Sequence, residues 1–318
     1  DFQREYKYSQ DLEEHMRFNE LVEIYFRDFA PNELKPVTRY NYEKDLAIHI
    51  TPIFGNRKIM SIKTSELTTF FTHMDLSSET TRKLRTIMSS VMNFGVKQGY
   101  IPKNPCHGAL YKKETAKAKK IKYLDDKQSR KLMELTSEYS IFNTIIQMLL
   151  FTGLRIGECL CLEWDDIDFD NQVITISRSV YKPKGEEQRI KSTKSVSSNR
   201  TVYIPESCAR MLYELKIQQA SDKRHSQGLW VDTGFVFTDK YGKNMSLYAP
   251  TRICAEVQAK YGLRHLKLHG LRHTCGSLMV EHGVDPETVK TVLGHESLKT
   301  TNRYLHPYAE SMKEASQK

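Results

Sequence analysis

Apolar residues recur at intervals of three and four through most of this chain, and each run predicts a helix with one face turned inward. In ETTRKLRTIMSSVMNFGVKQG, residues 79–99, Leu84, Ile87, Met88, Val91 and Met92 share a face, and Gly99 can end the helix. FNELVEIYFRDFA and VTRYNYEKDLAIHI repeat the pattern, and KTSELTTFFTHM is a shorter version. Together they predict a small four-helix unit that closes near Pro105. From Leu124 onward DDKQSRKLMELTSE reads as helix, and IFNTIIQMLLFTG is nearly all apolar, which places it at the centre of a core. QVITISRSVY and NRTVYIP alternate and are β-branched, the pattern of strands. ESCARMLYELKIQQA, PTRICAEVQAKYG and LRHTCGSLMVEHG return to helical spacing. In DPETVKTVLGH, Asp285 is placed to cap a helix, Pro286 to open it and Gly294 to stop it. The expectation is a mainly α protein with a small antiparallel β-sheet.

Composition divides this pattern in two. A chain of 318 residues exceeds what one core usually supports, since single cores rarely grow beyond about 250 residues. The expected organisation is a helical unit over residues 1–110, a connector over 111–123 and a second unit over 124–318. YKKETAKAKKIKYL, residues 111–124, carries six lysines against one glutamate. Such a run is either a solvated surface or a segment that follows a phosphate backbone; its place between two folded units favours the second. The formal net charge of +9 likewise favours an anionic partner. At 39% hydrophobic residues, extensive disorder is excluded.

The six cysteines are scattered, and the closest pair, Cys159 and Cys161, does not have zinc-framework spacing, so free thiols in a reducing compartment are expected. No signal peptide and no apolar run near 18 residues is present, which leaves secretion and membrane insertion unsupported. The sequence opens at Asp1 rather than methionine, as a processed or partial chain does.

Three short segments carry candidate chemistry. LHGLRHTCGS, residues 268–277, concentrates His269, Arg272 and His273 beside apolar Leu268 and Leu271. Histidines four apart resemble zinc ligands, but the metalloprotease motif needs a glutamate where Gly270 stands, so no metal is expected. Asp165, Asp166, Asp168 and Asp170 do not form a two-metal cluster, and YGKN lacks the features of a nucleotide-binding loop. In FTGLRIGECLCLEW, residues 151–164, Arg155 lies between apolar helices and is expensive to bury unless it meets a charge. It is either one half of an ion pair with Glu158 or a planar fork offered to a phosphate. In LKTTNRYLH, residues 298–306, Tyr304 taken alone reads as core. A tyrosine is a useful nucleophile only where cations stabilise the reacting phosphate and a base takes its proton.

TGLRIGE, HGLRHT, LGH and TTNRYLH, in this order, resemble the catalytic signature of the tyrosine recombinases, the phage and conjugative-transposon integrases. The resemblance covers the chain from about Leu124 to its end; the helical region before it is similar, more loosely, to that family's core-binding domain. It implies a helical core-binding domain followed by a tyrosine-recombinase catalytic domain. Carried over residue by residue, Arg155 and Arg272 are the arginines that clamp the scissile phosphate, and Glu158 supports the first. His269 serves in proton transfer or phosphate contact, His295 occupies the family's second His or Trp position, and Tyr304 is the nucleophile. The family's hairpin lysine matches Lys194 in STKSVSSNRTVYIP, with Lys191 close enough to compete. His273 is left to support its helix and His306 to pack near the tyrosine.

The resemblance implies a site-specific recombinase that cuts double-stranded DNA through a 3′-phosphotyrosyl link and integrates or excises a mobile element, with no cofactor, metal or ATP. A homo-tetramer on DNA, two protomers cutting at a time, follows from the family, as do accessory directionality or DNA-bending proteins and a place on DNA in the bacterial cytoplasm. The tail over residues 308–318 is expected to pack on a neighbouring protomer. DNA contacts are expected from Arg82, Lys83 and Arg85 on the long helix and from Lys112, Lys113, Lys117, Lys119 and Lys120 in the connector. Rival readings are a type IB topoisomerase relaxing supercoils by the same chemistry, and a non-catalytic DNA-binding regulator that retains the pocket. The DNA site, the direction of the reaction and any further N-terminal DNA-binding domain are not legible in the residues.

Overall fold

The computed structural model describes residues 15–112, 123–182, 187–192, 199–263, 266–302 and 304–305. The chain divides into two compact units, Asp1–Lys119 and Lys120–Lys318, with the division inside the lysine-rich connector.

In the first unit, α1 (Phe18–Ile24) runs on through Tyr25–Phe29 into Ala30–Glu33, and α2 (Pro36–Asp45) through Leu46–Ile50 into Thr51–Phe54. Both continuations widen into a π turn just before a proline. Pro31 and Pro52 lack the amide that would extend the ordinary ladder, and a proline ring crowds the carbonyl four residues back. The bonds therefore slip by one residue, Ala30 N–H to the Tyr25 carbonyl and Thr51 N–H to that of Leu46. α3 (Thr64–His73) and α4 (Ser78–Lys97) complete the unit. The apolar face read from α4 is buried, with Leu84, Ile87, Met88, Val91 and Met92 packed against Phe18, Leu21 and Tyr25 in one cluster. Arg85 gives its guanidinium to main chain, Nε to the Ala109 carbonyl at 2.8 Å and Nη2 to the Cys106 carbonyl at 2.8 Å. Lys83 pairs with Asp45 at 2.6 Å.

The second unit is built around α6 (Ser140–Thr152), as its apolar sequence predicts: Phe142, Ile145, Ile146, Met148, Leu149 and Leu150 are buried. Before it lies α5 (Asp126–Leu135), capped by the Asp125 carboxylate on the Gln128 amide at 2.7 Å. After it come α7 (Ile156–Cys159), β1 (Ile167–Asp168), β2 (Val173–Ile176), β3 (Arg178–Tyr181), β4 (Arg189–Ser192) and β5 (Arg200–Tyr203). Then follow α8 (Glu206–His225), α9 (Ala249–Lys260), α10 (Leu268–Glu281) and α11 (Pro286–Leu293). Residues 298–302 and 304–305 are also helical. α10, α8 and α5 pack on α6.

The strand pattern needs one refinement. QVITISRSVY is not one strand but two, in different sheets: β2 lies between β1 and β5, while β3 pairs with β4. Both sheets are antiparallel. β4 comes from a polar, lysine-bearing stretch between the two runs, and its side chains are almost all exposed. With no buried face, nothing imposes an apolar alternation on its sequence.

The two ends of the connector belong to different cores. Tyr111 packs on the first cluster. Leu124 joins the second and donates its N–H to Thr274 Oγ1 at 3.0 Å, while the Tyr123 hydroxyl donates to Glu281 Oε1 at 2.6 Å. Among the described residues no helix is long and apolar enough to cross a membrane.

Candidate active site

Three chain segments that lie far apart in sequence meet beside α6. The first follows its end. Gly153 stops α6 in the left-handed region, φ +62°, and a Cβ there would lie 2.3 Å from Leu293 Cδ2, so glycine is required both by backbone and by space. Arg155 then opens α7. Glu158, the third residue of that short helix, turns back and accepts from the Arg155 amide at 3.0 Å, the geometry of a capping box. The same carboxylate accepts from Arg155 Nη1 at 2.7 Å and from Arg200 Nη2 at 3.0 Å. Glu158 is 2% exposed and so is an ion bridging two guanidiniums inside the protein.

The second segment is α10. Arg272, 2% exposed, donates Nη1 to the Gly153 carbonyl at 2.7 Å and Nη2 to the Leu293 carbonyl. Arg155 Nη2 reaches the next carbonyl, Gly294, at 3.4 Å. Two arginines separated by more than a hundred positions are thus pinned to consecutive carbonyls. Those carbonyls belong to the end of α11, which begins as its sequence predicts: Asp285 Oδ1 accepts from the amides of Glu287 and Thr288, each at 3.0 Å. Gly294 ends it at φ +63°, where a Cβ would press to 2.9 Å from Arg200 Nη1. Arg200 Nε in turn donates to the Val292 carbonyl at 2.8 Å.

The third segment carries Tyr304, 2% exposed, whose hydroxyl is hydrogen-bonded to His273 Nδ1 at 2.9 Å. The His295 ring stacks on the phenol at 6.2 Å and 13°, and His295 Nδ1 is bonded to Thr301 Oγ1 at 3.0 Å. His269 is exposed at the mouth, its ring edge-on to that of His273 at 4.7 Å.

The charges here do not cancel. Arg155, Arg200 and Arg272 face one carboxylate, Glu158, which leaves a surplus of two positive charges. Burial, and then the charge of Arg155, push the Arg272 guanidinium down to about 10, so it stays protonated at neutral pH under constant pressure to find an anion. Burial alone would raise the Glu158 carboxyl, but Arg200, with the amide and charge of Arg155, more than offsets it and holds it below the usual range. A phosphodiester brings one negative charge and gains more as an oxygen attacks it. That substrate suits a buried cationic surplus. Among the described residues no three His, Cys, Asp or Glu side chains are grouped to hold a metal ion.

The profile of the phage integrase family matches residues 122–311. The chain belongs to that family, the tyrosine recombinases. The profile of the phage integrase N-terminal SAM-like domain matches residues 17–74 of the same recombinase. The chain is similar to a XerC-like tyrosine recombinase of Caldanaerobacter subterraneus subsp. tengcongensis, 29% identical over 86% of this chain and 74% of the relative. It is similar also to the ICEBs1 integrase of Bacillus subtilis, 27% identical over 95% and 82% of the two chains. In fold it matches the Tn1549 transposon integrase, solved in complex with a circular intermediate DNA, with a TM-score of 0.76 over 91% of this chain and 94% of the other at 21% identity. It is a site-specific recombinase of the mobile-element integrase kind.

In this recombinase the residues singled out as Arg155, Glu158, Arg272, His295 and Tyr304 come together, with His269 at the rim. Lys194, Lys113, Lys117, Lys119, Lys120, His306 and residues 308–318 lie outside the described residues. Lys191 is on β4 with Nζ 4.7 Å from the Tyr181 ring centroid. One participant, Arg200, has no role in the sequence reading, and another, His273, has a different one. Arg200 could have been found: it opens the alternating run Arg200–Tyr203 on the inward face with Val202, where a charge needs a partner. His273, expected to support its own helix, meets the phenol instead, and its place after Arg272 gives no sign of that.

Proposed function

We propose that the recombinase breaks and rejoins double-stranded DNA at specific sites by attack of Tyr304 on a phosphodiester held by Arg155, Arg272 and His269. The attack leaves a 3′-phosphotyrosyl link and a free 5′-hydroxyl. The two guanidiniums stabilise charge on the non-bridging oxygens, which is usually the largest catalytic contribution. Lys194 supplies a proton to the departing 5′-oxygen. The covalent link retains the energy of the bond it replaced, so a 5′-hydroxyl from a second duplex reverses the step without ATP. The observation that carries this reading is the pinning of Arg155 and Arg272 to the adjacent carbonyls of Gly294 and Leu293, beside the Tyr304 ring.

The substrate is DNA from the ends of a mobile element, joined or integrated, and the active unit is a homo-tetramer; relatives solved on DNA support this reading. A lambda integrase tetramer bound to a Holliday junction shares the fold, TM-score 0.65. The exposure of Arg82, Lys83 and Lys112 supports their contact with the DNA backbone, Lys83 pairing also with Asp45, whereas Arg85 is committed to carbonyls. The test is Tyr304→Phe on a nicked suicide duplex spanning the joined ends of the recombinase's own element. Site binding should persist in a gel shift while the covalent complex vanishes from a denaturing gel. Equal trapping by the variant would remove Tyr304 from the role.

A further inference from the structure

The recombinase motifs give Arg272 a task and end there; His273, the next residue, is given none. Yet its Nδ1 lies 2.9 Å from the Tyr304 hydroxyl, with the two rings 5.8 Å apart. On its other flank the phenol is stacked against His295, and His295 is tied to the buried hydroxyl of Thr301. The ring is therefore held between two imidazoles, and one of them touches the oxygen that must react. A phenol is a weak nucleophile while it keeps its proton, so a group within hydrogen-bond reach must take that proton as the bond to phosphorus forms.

We propose that His273 is that group: it accepts the Tyr304 proton during cleavage and returns it during rejoining. The inference rests on the reading of Tyr304 as nucleophile. A neutral imidazole with its proton on Nε2 presents the Nδ1 lone pair to the phenol. On attack the phenol O–H bond breaks, the proton passes to Nδ1, and the oxygen's electron pair forms the new bond to phosphorus. The bond from phosphorus to the 5′-oxygen breaks, and that oxygen leaves as a hydroxyl with a proton from Lys194. Rejoining reverses each transfer, so both side chains end as they began. Among the described residues, the charged and titratable groups around the pair include His269 and Arg272 on α10, His295 after α11, Arg155 and Glu158 at α7, and Arg200 on β5. The surplus positive charge among them stabilises the phenolate as it forms and keeps the imidazolium short-lived.

The test compares wild type, His273→Asn and His273→Phe in single-turnover cleavage of the suicide duplex at saturating protein. Asparagine keeps an acceptor where Nδ1 stood but cannot hold a proton. Both variants should bind the site as wild type does and cleave about 10²- to 10⁴-fold more slowly, the usual contribution of a positioned acid or base. His273→Gln replaces the asparagine variant if site binding is lost. The defect should remain at full size on a duplex with sulfur as the 5′-bridging atom, since a thiolate leaves without a proton; Lys194→Ala should be rescued there. Raising the pH above neutrality, toward the ordinary phenol value of about 10 but short of the Arg272 value of about 10, should recover part of the His273→Asn rate. An asparagine variant within about threefold of wild type, or rescue of it by the bridging sulfur, would overturn the proposal. Covalent trapping by Tyr304→Phe would instead overturn the reading beneath it.

Discussion

Glu158 holds a negative charge in an interior that ordinarily forbids one, and it does so because Arg155 and Arg200 both reach it. Removing one member of a buried ion cluster leaves the others uncompensated, at a cost of about 3–5 kcal/mol. Glu158→Gln should therefore lower the unfolding free energy of the catalytic unit by that much, read as a lower urea midpoint, and slow cleavage by freeing Arg155. The sign of its pH dependence follows from the depressed carboxyl. The stabilisation is complete above the ordinary carboxylate value, about 4.3, and is lost as pH falls through the lower value of the folded protein. Midpoints measured from pH 7 to pH 3 should show a steep acid limb in wild type that is shallower in Glu158→Gln; parallel curves would contradict the bridging role. At this scale the sequence was informative wherever a residue's neighbours constrained it. Arg155 between apolar helices and the His-x-x-Arg box were legible. The bond from His273 to Tyr304 was not, because it joins positions whose proximity only packing decides.

Among the elements, the ends matter more than the bodies. α6 and α11 stop at Gly153 and Gly294, both in the left-handed region, and the carbonyls around those stops hold Arg272 and Arg155. Gly153→Ala forces a side chain into that conformation and against Leu293, which should destabilise the unit by more than about 1 kcal/mol. Because the displaced residues hold Arg272, cleavage should fall along with the urea midpoint; a stable variant cleaving at the wild-type rate would contradict the linkage. Helices were legible because capping residues and periodicity agree, as with Asp285, Pro286 and Gly294 around α11. The strands were less so. The change of sheet at Ser177 interrupts no alternation, and exposed β4 shows none.

The whole chain carries a formal charge of +9 and folds as two units with separate cores. Binding to a duplex through lysines and arginines releases counterions, so affinity should fall steeply with salt, by roughly one unit of logarithmic slope per phosphate contact. Arg82→Ala should reduce that slope by about one. Arg85→Ala should leave it unchanged and instead loosen the first unit, whose carbonyls at Cys106 and Ala109 lose their donor. Equal loss of slope in the two variants, measured by fluorescence anisotropy across a salt series, would place Arg85 on the DNA after all. The depth of Tyr304 has a consequence for the life of such a molecule on a chromosome. A phenol oxygen buried this deeply and bonded to His273 is screened from passing strands while the pair stays in register for proton transfer. A searcher moving along foreign sequence therefore carries its blade closed.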